Sequence, residues 1–125
     1  MAGEPILIVD DNPVNLKLVR VLLKSHGFEV RTAGDAEEAQ AELKKLTPRL
    51  ILMDIQLPGM DGLELTRLLK ADPARRGVII VGLTAFAMKG DKAKMLAAGC
   101  DGYISKPIDT RRFPEQVAEF LKAPR

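Results

Sequence analysis

Tryptophan is absent from these 125 residues, and tyrosine and cysteine each occur once. A lone Cys100 forms no internal bridge, which excludes a disulfide scaffold and leads us to expect a reducing compartment, the cytoplasm. An excess of one charge is also missing. With 19 Lys and Arg against 17 Asp and Glu, the net +2 gives no strong field toward nucleic acid or anionic lipid, and neither is expected as a partner. Long apolar runs are lacking too: Ile6 to Val9 and Val78 to Leu83 fall far short of the ~18 residues of a membrane span. The opening Met-Ala-Gly-Glu-Pro has neither the basic nor the apolar region of a secretion signal.

What is present is enough for one core. Apolar residues make up 46% of the chain, and at this length a single domain over residues 1–125 is the expectation, because domains cluster near ~100–150 residues. Short runs rich in Ile, Val and Leu at Ile6 to Val9, Leu50 to Met53 and Val78 to Leu83 read as strands buried on both faces. Phe28 to Thr32 and Gly102 to Ser105 are shorter candidates of the same kind. Between them, apolar residues recur at helical spacing: Leu18, Val21 and Leu22; Ala36, Ala39, Leu43 and Leu46; Leu65, Leu68 and Leu69; Met88, Lys92, Met95 and Leu96; Val117, Phe120 and Leu121. Pro13 suits the opening turn of the first helix, and Asp35 followed by Glu38 suits a capping box at the second. Pro114 places the start of the last helix near itself, with Thr110 to Phe113 available for a separate turn. Five repeats of strand then helix require parallel strands and right-handed crossovers, hence an α/β fold with a doubly wound five-stranded parallel sheet and five helices.

In such a sheet, ligands bind beyond the carboxyl ends of the strands. The residues just past the apolar runs are Asp10 and Asp11, Asp54, Thr84 and Lys106. Singly, each has an ordinary explanation: Asp11 or Asn12 can cap the first helix, Thr84 can open a loop, and Lys106 can be a solvated strand end. Together they are a constellation. Three carboxylates at one edge repel one another unless a cation sits among them. Hard oxygen ligands without His or Cys suit Mg²⁺, an ion that keeps waters and completes its shell with phosphate oxygens. Asp54 alone closes a buried apolar run, which makes it the nucleophile candidate for an aspartyl phosphate. The charge developing on phosphoryl oxygens then calls for a cation, a hydroxyl donor and an ammonium, here Mg²⁺, Thr84 and Lys106.

Asp10-Asp11 after Ile-Leu-Ile-Val, Asp54 in Leu-Met-Asp-Ile-Gln-Leu-Pro-Gly-Met-Asp-Gly, Leu83-Thr84-Ala85 and Ser105-Lys106-Pro107 together resemble the receiver domain of two-component response regulators, over essentially the whole chain. Two segments, Leu83 to Asp91 and Gly99 to Ile108, are especially similar to regulators made of the receiver alone, with no output domain. The resemblance implies a flavodoxin-like (CheY-like) fold with strand order 2-1-3-4-5 and Asp54 as phosphoacceptor. It also implies Mg²⁺ held by Asp11, Asp54 and the Gln56 backbone carbonyl, with Asp10 acting mainly through water. Lys106 then pairs with the phosphoryl group, its peptide bond to Pro107 is expected to be cis, and Thr84 and Tyr103 move together to report phosphorylation. Gln56 and Phe86 flank the site and tune the lifetime of the acyl phosphate.

By the same resemblance the chain is a signalling module rather than an enzyme, one that assists its own phosphorylation and dephosphorylation. The implied phosphodonor is a sensor histidine kinase or a histidine phosphotransfer protein. A downstream protein would meet the face made by the fourth helix, fifth strand and fifth helix, where Ala85, Phe86, Ala87 and Met88 supply apolar area. We expect a monomer or weak dimer. A receiver within a larger hybrid kinase or multidomain regulator fits the same residues. A Mg²⁺-dependent phosphatase with an aspartyl nucleophile is a rival, but it calls for a second acid two residues on, where Gln56 stands. A flavin carrier of similar architecture is disfavoured by the missing tryptophan and the lack of a Gly-rich loop after the first strand. His26 reads as a solvated helix-end residue, and Cys100 as a small packing residue.

Overall fold

The structure, a computed structural model, describes residues 5–55, 62–75, 77–85 and 90–122. Strands and helices alternate: β1 (Pro5–Val9), α1 (Pro13–Lys24), β2 (Glu29–Ala33), α2 (Ala36–Lys45), β3 (Leu50–Asp54), α3 (Gly62–Ala71), β4 (Ile79–Thr84), α4 (Asp91–Ala98), β5 (Gly102–Ser105) and α5 (Phe113–Lys122). All strand pairs are parallel and the order is β2-β1-β3-β4-β5. This is the doubly wound, flavodoxin-like architecture expected from the sequence.

The two sheet faces are covered by different helices. Side chains alternate along each strand, and Ile6, Ile8, Leu50, Leu52, Leu83 and Ile104 share a core with Val19 and Leu23 of α1 and Phe113, Val117 and Leu121 of α5. Leu7, Val9, Ile51, Met53 and Ile80 instead pack on Ala39 and Leu43 of α2, Leu65 and Leu69 of α3 and Met95 of α4. Each fully buried Leu or Ile of these cores contributes roughly 1.5–3 kcal/mol, so the central strands β1, β3 and β4, buried throughout or nearly so, anchor the fold.

Local sequence sets the helix ends. The Asn12 side chain accepts hydrogen bonds from the Val14 and Asn15 backbone N–H groups at 2.9 and 3.1 Å, with Pro13 in the first turn, where its missing N–H costs nothing. Asp35 caps α2 by accepting from the Glu38 N–H at 2.8 Å. The capping box is shifted by one residue, however: the Glu38 carboxylate accepts from the Gly34 N–H at 2.7 Å rather than from the cap residue itself. Gly99 ends α4 with φ +110°, a conformation that side chains with a Cβ rarely adopt.

Boundaries differ slightly from expectation. β2 starts at Glu29 because the Phe28 N–H turns back to the Leu23 carbonyl at 3.2 Å and closes α1. β4 starts at Ile79 because the Val78 N–H closes a turn onto Arg75 at 3.1 Å. α5 begins at Phe113, one residue before Pro114, and Asp109 organises the turn ahead of it. Its side chain accepts from the Arg111 N–H at 3.0 Å and its carbonyl from the Phe113 N–H at 2.8 Å. Pro114 falls in the first turn, where no donor is needed. The expected contribution of Met88 to the fourth helix lies outside the described residues. Among those described, no helix is long and apolar enough to cross a membrane.

Candidate functional site

The carboxyl ends of β1, β3, β4 and β5 lie side by side, and the residues singled out in the sequence sit there. Asp10 follows β1. Its N–H donates to the Ala33 carbonyl at 3.1 Å, which extends the pairing with β2 and fixes where the side chain emerges. That side chain is fully buried. One carboxylate oxygen accepts from the Asn12 N–H at 2.9 Å, and the other accepts from the Asn15 side-chain amide. Buried carboxylates need such donors, because an unpaired charge away from water is very costly.

Asp54, the last residue of β3, is also buried. Asp11 is exposed. One oxygen from each of Asp10, Asp11 and Asp54 falls within 4.8 Å of the others. Lys106 approaches from β5, with Nζ 3.3 Å from Asp54 and 3.8 Å from Asp10. Its own N–H donates to the Thr84 carbonyl at 2.7 Å, so the backbone that carries the ammonium is tied to β4. The Lys106–Pro107 peptide bond is cis.

Strand alternation separates Thr84 from this group. Leu83 belongs to the core under α1 and α5, so Thr84 turns to the opposite face. There its buried hydroxyl donates to the Asp91 carboxylate in the first turn of α4 at 2.7 Å. Tyr103 faces the same side. It packs against the core beneath α2, α3 and α4, and Lys92 places its ammonium 5.8 Å from the ring centroid. Gly102 faces the other side, toward Phe120 of α5, as does Ile104.

The start of α3 presses on β3. A side chain at Gly62 would collide with the Asp54 carbonyl and come within 2.7 Å of the Ile55 Cα. The Gly62 N–H donates to the Ile55 carbonyl at 3.3 Å. Only the missing Cβ permits this approach directly behind Asp54.

Three residues that shape the site carried no role in the sequence reading: Asn15, Gly62 and Asp91. Asn15 had a faint signal, an amide in the first helical turn three residues after a capping Asn. Asp91 had a similar one, an acid opening a helix after Gly90. Gln56 and Phe86, to which the resemblance gives roles, lie outside the described residues. So do Ala87 and Met88 of the expected apolar face; Ala85 is exposed. His26 is exposed at the end of α1, with Nδ1 3.0 Å from the Leu22 carbonyl. Cys100 is a buried core residue, and burial pushes its thiol above the usual range, with a hydrogen bond to Thr66 acting the other way.

The donor set suits a hard divalent cation. Three carboxylates can each offer an oxygen to one point, with no nitrogen or sulfur ligand in the group. Two of the three are buried, and the Lys106 ammonium offsets part of their charge. Asp10, Asp11 and Asp54 are therefore the residues that would hold such an ion.

The chain is similar to known proteins in sequence and in fold. The chain is 44% identical over 116 residues to the polar-differentiation response regulator DivK of Brucella anthropi, an alignment covering 93% of this chain and 94% of that one. The fold is similar to that of the chemotaxis response regulator CheY4 of Vibrio cholerae (TM-score 0.89, 26% identity, 95% of this chain and 99% of that one). It is also similar to the receiver domain of a sensor histidine kinase from Pseudomonas aeruginosa PAO1 (TM-score 0.88, 34% identity, 98% and 100%), which has a magnesium ion coordinated in its active-site cleft. Residues 6–118, from β1 into α5, match the response regulator receiver domain, and the chain belongs to that family of two-component signalling proteins.

Proposed function

We propose that Asp54 accepts a phosphoryl group from a phosphohistidine, on a sensor histidine kinase or a histidine phosphotransfer protein, and that the phosphorylated domain signals by binding another protein. The observation that carries this reading is the pairing of a buried carboxylate with an ammonium at 3.3 Å, at a strand end that also gathers two further acids. In the transfer, a carboxylate oxygen of Asp54 forms a bond to phosphorus while the donor's P–N bond breaks and the imidazole leaves. Lys106 neutralises charge on the phosphoryl oxygens, and the Thr84 hydroxyl is the donor on the opposite side. A Mg²⁺ ion held by Asp11, Asp54 and the Gln56 carbonyl, with Asp10 through water, would supply the remaining positive charge. The same residues would assist loss of the phosphoryl group to water.

The surface beside the site suits a phosphodonor. Val14, Leu18 and Val21 project from α1 at helical spacing and are 76%, 39% and 58% exposed. Val14 and Leu18 line a groove of about 380 Å³ whose far wall is Lys106, Pro107 and Ile108. An apolar stripe ending at the phosphoacceptor fits a helical protein that must bring its histidine to Asp54. The downstream partner would contact the face formed by α4, β5 and α5, on which Tyr103 and Lys92 lie. Balanced charge and the single buried cysteine are consistent with a cytoplasmic setting.

Intact-mass spectrometry after incubation with acetyl phosphate and Mg²⁺ tests the reading. One phosphoryl group should add to the parent and none to Asp54→Asn. Undiminished labelling of Asp54→Asn would show that another residue is the acceptor.

A further inference from the structure

The first turn of α4 touches both residues assigned to the switch. A hydroxyl has one proton to donate, and Thr84 donates it to the Asp91 carboxylate at 2.7 Å. The next residue, Lys92, sits over the Tyr103 ring. The face occupied by Thr84 is not the face from which Lys106 meets Asp54. A phosphoryl group on Asp54 must therefore draw the Thr84 proton away from an acceptor that already holds it.

We infer that Asp91 is a latch: its carboxylate competes with the phosphoryl group for the Thr84 hydroxyl and so holds the domain in its unphosphorylated form. The inference rests on the reading of Asp54 as phosphoacceptor and Thr84 as phosphoryl donor partner, and adds what phosphorylation must break. When the hydroxyl changes acceptor, Asp91 loses its link to β4, the first turn of α4 is released, and Lys92 shifts over Tyr103. Two adjacent residues thereby connect the end of β4 to the ring on β5. Asp91 is a positioning residue, since it acts on phosphate only through Thr84.

The competition has a direct readout. Beryllofluoride with Mg²⁺ mimics the phosphoryl group without chemistry, and ¹⁹F NMR measures its occupancy of the full-length protein. Tyr103 is the only tyrosine and there is no tryptophan, so intrinsic fluorescence reports this one ring in the same titration. Asp91→Ala, which removes the competing acceptor, should bind the analogue roughly ten- to a hundredfold more tightly than the parent, the scale of a hydrogen bond to a charged group. Asp91→Asn keeps an acceptor oxygen and should stay closer to the parent. In a Thr84→Ala background, Asp91→Ala should change the affinity less than twofold.

Unchanged affinity in Asp91→Ala, beside a parent that binds normally, would overturn the latch and leave the phosphoacceptor reading standing. An equal gain in the Thr84→Ala background would overturn it as well, since the effect would not pass through the hydroxyl. A parent that fails to bind the analogue at all would overturn the underlying reading and the latch with it.

Discussion

The side-chain amide of Asn15 donates to the Asp10 carboxylate oxygen that also faces Lys106. A residue in the first turn of α1 thus holds a fully buried acid at the end of β1. Asn15→Ala should leave that oxygen one donor short and destabilise the protein by about 1.5–3 kcal/mol, the range for hydrogen bonds to charged groups. Urea unfolding measures it. The loss should largely vanish in an Asp10→Ala background, and a loss that persisted there would mean that Asn15 acts through helix packing instead.

Asp11 is the exposed member of the acidic cluster. Mg²⁺ should raise the melting temperature of the parent by binding the folded state preferentially, and Asp11→Ala should lose most of that gain. Because the substitution also removes repulsion with two neighbouring carboxylates, the variant in chelator should be no less stable than the parent. Equal Mg²⁺ stabilisation of the two proteins would contradict this.

Gly62 is confined by backbone rather than by yielding side chains, so Gly62→Ala must displace either α3 or the end of β3. A cost of about 1–3 kcal/mol is expected from such overpacking. Phosphorylation of Asp54 by a small phosphodonor should slow as well. Thermal melts and the rate of acetyl-phosphate labelling check the two parts, and a variant matching the parent in both would show that the junction has slack.

Cys100 gives the pH dependence. Burial raises its thiol above the ordinary value of 9.0, so the folded protein keeps the proton that the unfolded chain releases first. The contribution is then fully present below about pH 8.5 and is lost as pH rises toward the folded-state value. Relative to Cys100→Ala, the parent's unfolding free energy should be constant from about pH 6 to 8 and fall above about pH 9. A difference that widened with alkali would reverse the sign and rule out burial as the cause.

Sequence pattern was a good guide wherever one physical rule acted alone. Buried strands such as Leu50–Asp54 stand out as unbroken aliphatic runs, and the residue after each run reaches the carboxyl-end edge of the sheet, so the positions of Asp10, Asp54, Thr84 and Lys106 along that edge could be located without structure. Contacts between elements were not legible. Nothing local says that Asp91 meets Thr84, because that contact depends on which sheet face each strand end presents and where α4 starts. Gly62 is similar: its need for a bare Cα comes from the packing of α3 on β3, not from a turn signal. The capping box at Asp35 is shifted by one residue because the Glu38 side chain takes the Gly34 N–H instead.

The central claim is that Asp54 carries the phosphoryl group, and borohydride trapping tests it most directly. Reduction of an aspartyl phosphate converts that residue to homoserine, which peptide mass spectrometry locates by position. After treatment with acetyl phosphate and Mg²⁺, homoserine should appear at residue 54 and at no other aspartate, and its yield should fall sharply in Lys106→Ala. Homoserine at Asp10 or Asp11, or phosphorylated protein that yields none at residue 54, would contradict the account.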